Sequence, residues 1–386
     1  MIYLDNNATT RPAAEVVAAM DEMLREVWGN PSSTHAPGRA ARQRIEGARE
    51  EVAALIGARA RDVVFTAGGT ESIHLAIRGV ASIAPADKRT IVVSAVEHEA
   101  VAELCEFLGT QRERAWEVRV VPVDRDGVVE PAALEELVDD SVAVVSVQWA
   151  NHETGVVQPV ERIGEVCRGR GAVFHCDGVQ WIGKARADVS AVPIDLLSMS
   201  AHKFHGPKGV GALWVRRGVR LQPLVHGVQE RETRGGTENA PGIVGMGVAA
   251  RVAREWLEGD GGAHGRELRD RLERGIREVV ADAVMNGAGV ERMWNTASVS
   301  LPGSDGKKIV TALSDRGVMC STGAACSSGS EEASRVLLAM GVDESRARGT
   351  VRLSLSRETM EDEIRESILP IREAVELRRR AAEDAE

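Results

Sequence analysis

Short β-branched runs alternate with segments of helical periodicity from about residue 38 onward, and this alternation limits the possible folds more than any other feature. The candidate strands are 63–66, 90–94, 118–121, 142–147, 172–176, 195–199 and 211–215. Helices fill the gaps, and the clearest covers residues 39–56, where Ile45, Val52 and Ile56 fall on one face. Because this succession is typical of βαβ units, the sequence predicts an α/β fold built on a mostly parallel sheet.

The length of 386 residues predicts more than one domain, since single hydrophobic cores stop growing at about 250–300 residues. A glycine-rich run at 259–265 interrupts a helical pattern, and the sequence predicts a domain joint there. We therefore expect a large domain over residues 15–258 and a smaller α/β domain made of residues 1–14 and 259–386. Residues 320–330 of the smaller domain are nearly all small or polar, which predicts an exposed loop.

Composition argues against several classes of partner. The chain has 58 acidic and 48 basic residues without a clustered basic face, so we expect no direct nucleic-acid ligand. No stretch approaches the roughly 18 apolar residues of a membrane span, and the start lacks a signal-peptide pattern, which predicts a cytoplasmic protein with no membrane partner. Five cysteines, an odd number, fit a reducing compartment, and none of their spacings gives the C-x2-C pair typical of structural zinc sites.

The first candidate strand ends in a turn of small residues that leads into a helix. Residues 67–72 read Ala-Gly-Gly-Thr-Glu-Ser, and they place free backbone N–H groups at a helix N-terminus, where an anion such as phosphate is favoured. A plain tight connection between strand and helix explains such a turn equally well.

A carboxylate and a lysine follow two later candidate strands. Asp177 ends strand 172–176, where open α/β sheets bind ligands, although capping of a turn would also explain it. Lys203 comes just after strand 195–199 and could act as a nucleophile or base, although most lysines are solvated surface residues. The order of phosphate turn, carboxylate and lysine along one sheet edge favours a pyridoxal 5'-phosphate site, in which Asp177 would keep the ring nitrogen protonated.

Ordered motifs along nearly the whole chain resemble the NifS/IscS-type cysteine desulfurases of the class V aminotransferase family. The matching stretches are residues 4–10 (Leu-Asp-Asn-Asn-Ala-Thr-Thr), 29–35, 66–72, 97–98 (Glu-His), 177–180, 200–203 (Ser-Ala-His-Lys), 206–213 and 325–327 (Ala-Cys-Ser). The resemblance implies a pyridoxal-phosphate-dependent transferase of fold type I that converts L-cysteine to L-alanine.

The same resemblance implies roles for individual residues. Lys203 would bind the cofactor covalently, His98 would stack on its pyridine ring, and Asp177 would pair with the ring nitrogen. The other implied contacts are Gln180 with the phenolic oxygen, Gly69, Thr70, Ser200 and His202 with the phosphate, and Thr237 with the phosphate of the neighbouring subunit in a homodimer.

Substrate binding is implied for three further residues. Arg352 matches an arginine that would clamp the substrate carboxylate in a bidentate way, and Asn151 and His152 would lie beside it. His152 departs from the family pattern, which has asparagine there and gives that residue contacts with both cofactor and substrate.

Cys326 is the residue that would distinguish this reaction from others in the family. A cysteine among small polar residues can present a thiolate, and the resemblance implies that Cys326 receives the substrate sulfur as a persulfide for an acceptor protein. Cys105, Cys167 and Cys176 lie in helix or strand patterns and are more simply interpreted as buried small hydrophobes. Cys320 is interpreted as a bystander.

Three other functions remain open at this point. A selenocysteine lyase would share the same machinery, and a class V aminotransferase would not need Cys326. A non-catalytic scaffold subunit would be expected to lack cofactor residues, whereas Lys203, Asp177 and His98 are all present.

Overall fold

The structure, a computed structural model, describes residues 1–111, 115–323 and 333–383. Its strands are β1 (Ile2–Tyr3), β2 (Val63–Thr66), β3 (Thr90–Ser94), β4 (Glu117–Val121), β5 (Val142–Gln148), β6 (Val173–Asp177), β7 (Leu196–Ser200), β8 (Gly211–Val215), β9 (Val284–Met285), β10 (Thr296–Ser300), β11 (Val318–Met319), β12 (Ser321–Thr322) and β13 (Thr350–Ser354). Its helices are α1 (Ala14–Arg25), α2 (Ala36–Leu55), α3 (Gly69–Ile83), α4 (Glu99–Gly109), α5 (Pro131–Leu137), α6 (Val160–Arg170), α7 (Ala240–Glu258), α8 (Gly261–Val279), α9 (Gly306–Ser314), α10 (Arg335–Ala339), α11 (Glu344–Arg348) and α12 (Glu361–Glu383).

The predicted α/β fold with a mostly parallel sheet is confirmed. The large sheet has the order β2-β8-β7-β6-β5-β3-β4, in which β8 runs antiparallel to both neighbours and every other pair is parallel. All the candidate strands are present with ends within one residue of those predicted. Their β-branched and aliphatic residues suit a sheet that is covered by helices on both faces.

Three hydrophobic clusters support this architecture. One packs α2, α6 and α7 on the large sheet, and a second packs α3 and α4 on it. The third joins α8, α9 and α12 to β10 and β13 of the smaller antiparallel sheet, which has the order β12-β13-β10-β9. Ala333, Val336 and Leu337 belong to the first cluster, although they follow residue 259 in the chain.

The chain passes from α7 to α8 at residues 259–260, inside the glycine-rich run where the joint was expected. The division into residues 15–258 on one side and 1–14 with 259–386 on the other stays a prediction. In the part of the chain that the structure describes, no helix is both long and apolar enough to cross a bilayer.

A buried ion pair holds the segment that leads to Thr237. Arg49 of α2 donates to both carboxylate oxygens of Glu230 at 2.6 and 2.7 Å, and each side chain is 2% exposed. Glu230 also accepts from the backbone N–H of Phe65 at 2.8 Å. Residues 230–232 all have positive φ, at 46°, 54° and 63°, a region that residues other than glycine rarely adopt. The ion pair therefore stabilises a backbone conformation that is unfavourable by itself.

We expect Glu230→Ala to lower the free energy of unfolding by about 3–5 kcal/mol, because it leaves the Arg49 charge buried without its main partner. Glu46→Ala is the matched control, since Glu46 also pairs with Arg49 at 3.0 Å but is 47% exposed. Its expected cost is about 0–1 kcal/mol. Urea unfolding of both variants measures the difference, and equal losses would contradict the importance of the buried pair.

Candidate active site

One edge of the large sheet carries most of the predicted site. The strands β2, β3, β5, β6 and β7 run in the same direction, so their carboxyl ends lie along this edge. The predicted residues at or just after these ends are Gly69, Thr70, His98, Asn151, His152, Asp177, Gln180, Ser200, His202 and Lys203. Arg352 comes from β13 of the smaller sheet. The shared direction of these strands thus brings together residues of the large sheet that are far apart in sequence.

Lys203 contacts the N-terminal motif of the chain. It ends a short 3-10 turn after β7, and its Nζ donates to the backbone carbonyls of Asn7 at 2.6 Å and Ala8 at 2.9 Å. The Nδ1 atom of the neighbouring His202 lies 3.1 Å from Thr9 Oγ1. In the sequence, the motif at residues 4–10 contributed only to the family resemblance. In the structure, its Asn7 and Ala8 contact Lys203.

Asp177 lies buried at the end of β6. Its Oδ1 accepts from the backbone N–H of Val179 at 2.9 Å. Burial raises the pKa of Asp177 to about 6, and the nearby Lys203 opposes this rise. A cationic partner such as a protonated pyridine nitrogen would favour the carboxylate and complete its surroundings.

Two histidines face each other beside these groups. The rings of His98 and His152 lie 5.1 Å apart in an edge-to-face arrangement. His98 Nδ1 accepts from the backbone N–H of Ala100 at 3.0 Å and so caps α4. Burial, with smaller effects of Lys203 and Arg352, lowers the pKa of His98 to about 4. Burial also lowers the pKa of His152 well below its usual range, so both rings are neutral near pH 7.

Gln180 belongs to a buried polar network. Its Nε2 donates to the carbonyl of Asn7 at 3.0 Å, and its Oε1 accepts from Lys184 Nζ at 2.6 Å. Lys184 Nζ also donates to Asn7 Oδ1 at 3.1 Å, and burial lowers its pKa strongly. The sequence did not predict Lys184 as a site residue, although its position four residues after Gln180 would allow the two side chains to meet.

The N-terminus of α3 is packed closely against two neighbouring connections. A Cβ atom on Gly69 would lie 2.9 Å from Val179 Cγ2 and 3.4 Å from Ser200 Cβ, so this approach requires glycine. The N-cap of α3 is Gly68, which has no side chain to occupy the first-turn N–H groups. These N–H groups and the nearby Ser200 and Thr70 hydroxyls are suited to a phosphate.

Thr237 lies near the start of the same turn. It lines a cleft of about 140 Å³ together with Thr66 and Ala67 of its own chain. Arg234, which also lines the cleft, pairs with Glu71 of α3 at 2.8 Å. The implied contact of Thr237 with a neighbouring subunit's phosphate stays a prediction.

Arg352 is held by two oxygen atoms. Its Nη2 pairs with Asp5 Oδ1 at 3.0 Å, and its Nη1 donates to the carbonyl of His152 at 3.0 Å. Its Nε is buried without a hydrogen-bond partner among the described residues. Asn151 uses its side-chain Oδ1 to accept from the backbone N–H groups of Glu153 and Thr154, so its side chain shapes the turn. Asp5 was missed by the sequence interpretation.

Cys326 lies outside the described residues, as does most of the predicted loop. The other cysteines, Cys105, Cys167, Cys176 and Cys320, are free and buried. Burial raises the pKa of Cys105, Cys167 and Cys320 to about 12, and that of Cys176 well above its usual range. None of these four thiols is therefore suited to supply a thiolate near neutral pH.

The described groups fit pyridoxal phosphate. A buried carboxylate, an amide, a neutral imidazole and a lysine amine match the ring nitrogen, phenolic oxygen, ring face and aldehyde carbon of the cofactor. The uncapped N-terminus of α3 matches its phosphate. The buried and unpartnered His152 Nδ1 and Arg352 Nε are further donors or acceptors at this edge.

A second buried carboxyl group lies next to this set. Glu97 Oε1 accepts from Ser94 Oγ at 2.5 Å and from the backbone N–H of Gln148 at 2.8 Å. Its Oε2 is buried without a partner among the described residues. Burial, and to a smaller degree the charge of Asp177, raises the pKa of Glu97 to about 8. The folded chain therefore keeps this group protonated at neutral pH.

This raised pKa predicts a pH-dependent stability. The folded state holds the Glu97 proton up to about pH 8, whereas the unfolded state releases it near pH 4.5, so the unfolding free energy falls as pH rises through this window. We expect Glu97→Gln to remove about 1–3 kcal/mol of that fall. Urea unfolding of cofactor-free protein at pH 5 and pH 8 tests this. The control is Glu165→Gln, at a residue 61% exposed, and an identical pH dependence in the two variants would count against the assignment.

Comparisons with known proteins find similar sequences and similar folds. The profile of the family described as Aminotransferase class-V matches residues 2–366. A cysteine desulfurase of Cereibacter sphaeroides is 48% identical over 365 residues, which cover 94% of this chain and 92% of that protein. A solved NifS-like protein superposes with a TM-score of 0.90 at 38% identity, over 97% of this chain and 99% of the other. The structure of SspA in complex with cysteine has a TM-score of 0.82 at 33% identity, over 93% and 100% of the two chains.

Proposed function

The chain belongs to the aminotransferase class-V family, as its motifs predicted, and from this premise we propose that it is a cysteine desulfurase. It converts L-cysteine to L-alanine and places the sulfur on Cys326 as a persulfide, with pyridoxal 5'-phosphate as cofactor. The observation that carries the proposal is the placement of Lys203, Asp177 and His98 at one edge of the large sheet, with Arg352 of the smaller sheet beside them, in a chain whose relatives bear that name.

Each part of the cofactor has a proposed partner among the described residues. Asp177 pairs with the ring nitrogen, the neutral His98 ring stacks on the pyridine, and Gln180 uses its remaining N–H for the phenolic oxygen. Ser200, with the N-terminus of α3, holds the phosphate. The bound cofactor supplies an electron sink for the electron pair left on the substrate Cα when its proton is removed.

Arg352 binds the substrate carboxylate. Asp5 and the His152 carbonyl each hold one end of its guanidinium, which fixes the plane of the fork before substrate arrives. The remaining N–H groups, including the unpartnered Nε, are available for a carboxylate. His152 lies between this arginine and His98 and, as a neutral ring, adds no charge that would compete for the carboxylate.

Lys203 moves the Cα proton. Its Nζ takes the proton as a base. The resulting ammonium then donates hydrogen bonds to the backbone carbonyls of Asn7 and Ala8. The Cys326 thiolate attacks the substrate Sγ, so that an S–S bond forms as the substrate C–S bond breaks. Protonation of Cβ, followed by return of a proton from the Lys203 ammonium to Cα, gives alanine.

Further parts of the proposal concern the protein's surroundings. Thr237 of each subunit reaches the phosphate site of a homodimer partner, and an acceptor protein removes the sulfur from Cys326. The cytoplasm remains the proposed compartment, because Cys105, Cys167 and Cys176 are free thiols that a reducing environment would preserve.

The test is product analysis with L-cysteine, a thiol reductant and the reconstituted protein, with and without a 2-oxo acid. A desulfurase gives alanine and sulfide in equal amounts without the 2-oxo acid. An aminotransferase gives no sulfide and depends on the 2-oxo acid, an outcome that would overturn the proposal. A selenocysteine lyase would show a kcat/KM for L-selenocysteine far above that for L-cysteine.

A further inference from the structure

Asn7 is a buried residue that bonds to both main sheets of the fold. It lies in the N-terminal motif after β1 and is 2% exposed. Its backbone N–H donates to Ser354 Oγ at 2.9 Å. Its side-chain Oδ1 accepts from Asn295 Nδ2 at 2.9 Å, and its Nδ2 donates to Thr296 Oγ1 at 2.9 Å. Because Ser354 lies in β13 and Thr296 in β10, these bonds hold Asn7 on the smaller sheet.

The other hydrogen bonds of Asn7 reach the edge of the large sheet. Its backbone carbonyl accepts from Lys203 Nζ at 2.6 Å and from Gln180 Nε2 at 3.0 Å. Its Oδ1 also accepts from Lys184 Nζ at 3.1 Å, and its Nδ2 also donates to the His152 carbonyl at 3.2 Å. Each oxygen atom of Asn7 thus has two donors, and each of its N–H groups has an acceptor, so its full bonding capacity is used.

These contacts set the orientation of the Gln180 amide. Lys184 Nζ donates to Gln180 Oε1 at 2.6 Å, while Gln180 Nε2 donates to the Asn7 carbonyl. Lys184 is in turn held by Asn7 Oδ1, so Asn7 fixes the amide both directly and through Lys184. The remaining N–H of Gln180 is therefore a donor in a fixed place, which suits an anionic phenolic oxygen.

Asn7 also connects Lys203 with Arg352, the proposed base with the proposed carboxylate clamp. The His152 carbonyl accepts from both Asn7 Nδ2 and Arg352 Nη1. Ser354, which accepts from the Asn7 N–H, lies two residues after Arg352 in β13. A shift of Asn7 would therefore disturb groups on both sheets together.

We propose that Asn7 is a positioning residue that fixes the Gln180 amide and the Lys203 amine in one arrangement. It joins these groups of the large sheet edge to the smaller sheet, which carries Arg352. Holding reacting groups in place before substrate arrives lowers the entropy cost of the reaction. This inference rests on the proposed function, in which Lys203 carries the cofactor and Gln180 donates to its phenolic oxygen.

The first test compares Asn7→Ala with Asn6→Ala in the reconstituted protein. Asn6 is the matched control, because it is 3% exposed and its Nδ2 donates to the carbonyls of Tyr3 in β1 and Ser354 in β13, neither of which belongs to the large sheet. We expect kcat for alanine release to fall by about 10–100-fold in Asn7→Ala and by at most about three-fold in Asn6→Ala.

A second readout does not depend on turnover. It is the midpoint pH at which the visible absorbance of the bound cofactor changes, which reports the proton shared by the Lys203 linkage and the phenolic oxygen. A hydrogen bond from Gln180 favours the anionic oxygen and lowers this midpoint. Loosening Gln180 in Asn7→Ala should therefore raise the midpoint by about 0.5 pH unit or more, with a change below about 0.2 in Asn6→Ala. A purely structural role would lower stability in both variants without this difference.

Thr296→Val provides a milder variant for the case in which Asn7→Ala does not fold. Valine keeps nearly the shape of threonine but removes the hydroxyl that accepts from Asn7 Nδ2. The change lies in the smaller sheet, and we expect it to raise the cofactor midpoint by about 0.3 pH unit through Asn7.

The outcomes separate this inference from the proposed function. A wild type that binds the cofactor but releases no alanine would refute the desulfurase, and the midpoint would still test Asn7. A wild type without cofactor absorbance would overturn both. If Asn7→Ala folds, an unchanged midpoint, or equal midpoint shifts in Asn7→Ala and Asn6→Ala, would overturn the inference. If it does not fold, an unchanged midpoint in Thr296→Val would do so.

Discussion

Cys326→Ala is expected to lower the release of alanine and sulfide from L-cysteine by about 10⁴-fold, while the bound cofactor keeps its visible absorbance. Removing the nucleophile leaves the C–S bond without an acceptor for its sulfur. The nearest cysteine in sequence, Cys320, cannot substitute, because burial raises the pKa of its thiol to about 12. The effect should therefore fall on sulfur transfer and leave the binding of L-cysteine intact.

The matched control is Cys320→Ala, which should retain activity within about two-fold. Mass spectrometry after a single turnover should find 32 Da of added sulfur on the Cys326 peptide of the wild type only, at about one per chain. Sulfide release by Cys326→Ala at the wild-type rate would remove Cys326 from the mechanism. Cofactor absorbance without sulfide from either protein would favour an aminotransferase.

Local periodicity was sufficient to predict the large sheet. Each of its strands is a short run of β-branched or aliphatic residues between helical segments, and that pattern depends only on neighbours in the chain. The direction of β8, antiparallel between β2 and β7, could not be predicted, because strand pairing depends on contacts between distant residues.

In the site, too, features that depend on neighbours in the chain were predicted, and contacts between distant residues were not. Asp177 and Lys203 were predicted because each directly follows a strand, and strand ends collect at one sheet edge. Asp5 and the Asn7 and Ala8 carbonyls were not predicted as site groups, because their partners Arg352 and Lys203 lie about 200–350 residues away. Backbone carbonyls also leave no signal in residue identity.

Lys203→Ala is expected to lower alanine release by about 10⁴-fold or more, because it removes both the covalent attachment of the cofactor and the base for the Cα proton. Lys203→Arg should lose nearly as much, since a guanidinium keeps the charge but can neither form that attachment nor accept a proton. Lys208→Ala is the control, an exposed lysine five residues further along the chain that should keep activity within about two-fold.

Borohydride reduction of the reconstituted protein, followed by peptide mass spectrometry, shows whether the cofactor is attached to Lys203 or to its rival, Lys184. Lys184 is the rival because it lies at this edge too, where it is buried and Lys203 is partly exposed, and burial lowers the pKa of Lys184 strongly, which favours a nucleophilic amine. Its Nζ, however, donates to Gln180 Oε1 at 2.6 Å and Asn7 Oδ1 at 3.1 Å, so attachment there would break a buried polar network. Attachment at Lys203 would break its hydrogen bonds to two backbone carbonyls. Cofactor mass on the Lys203 peptide, absent from Lys203→Ala, is the expected result, and the same mass on the Lys184 peptide would transfer the role to Lys184.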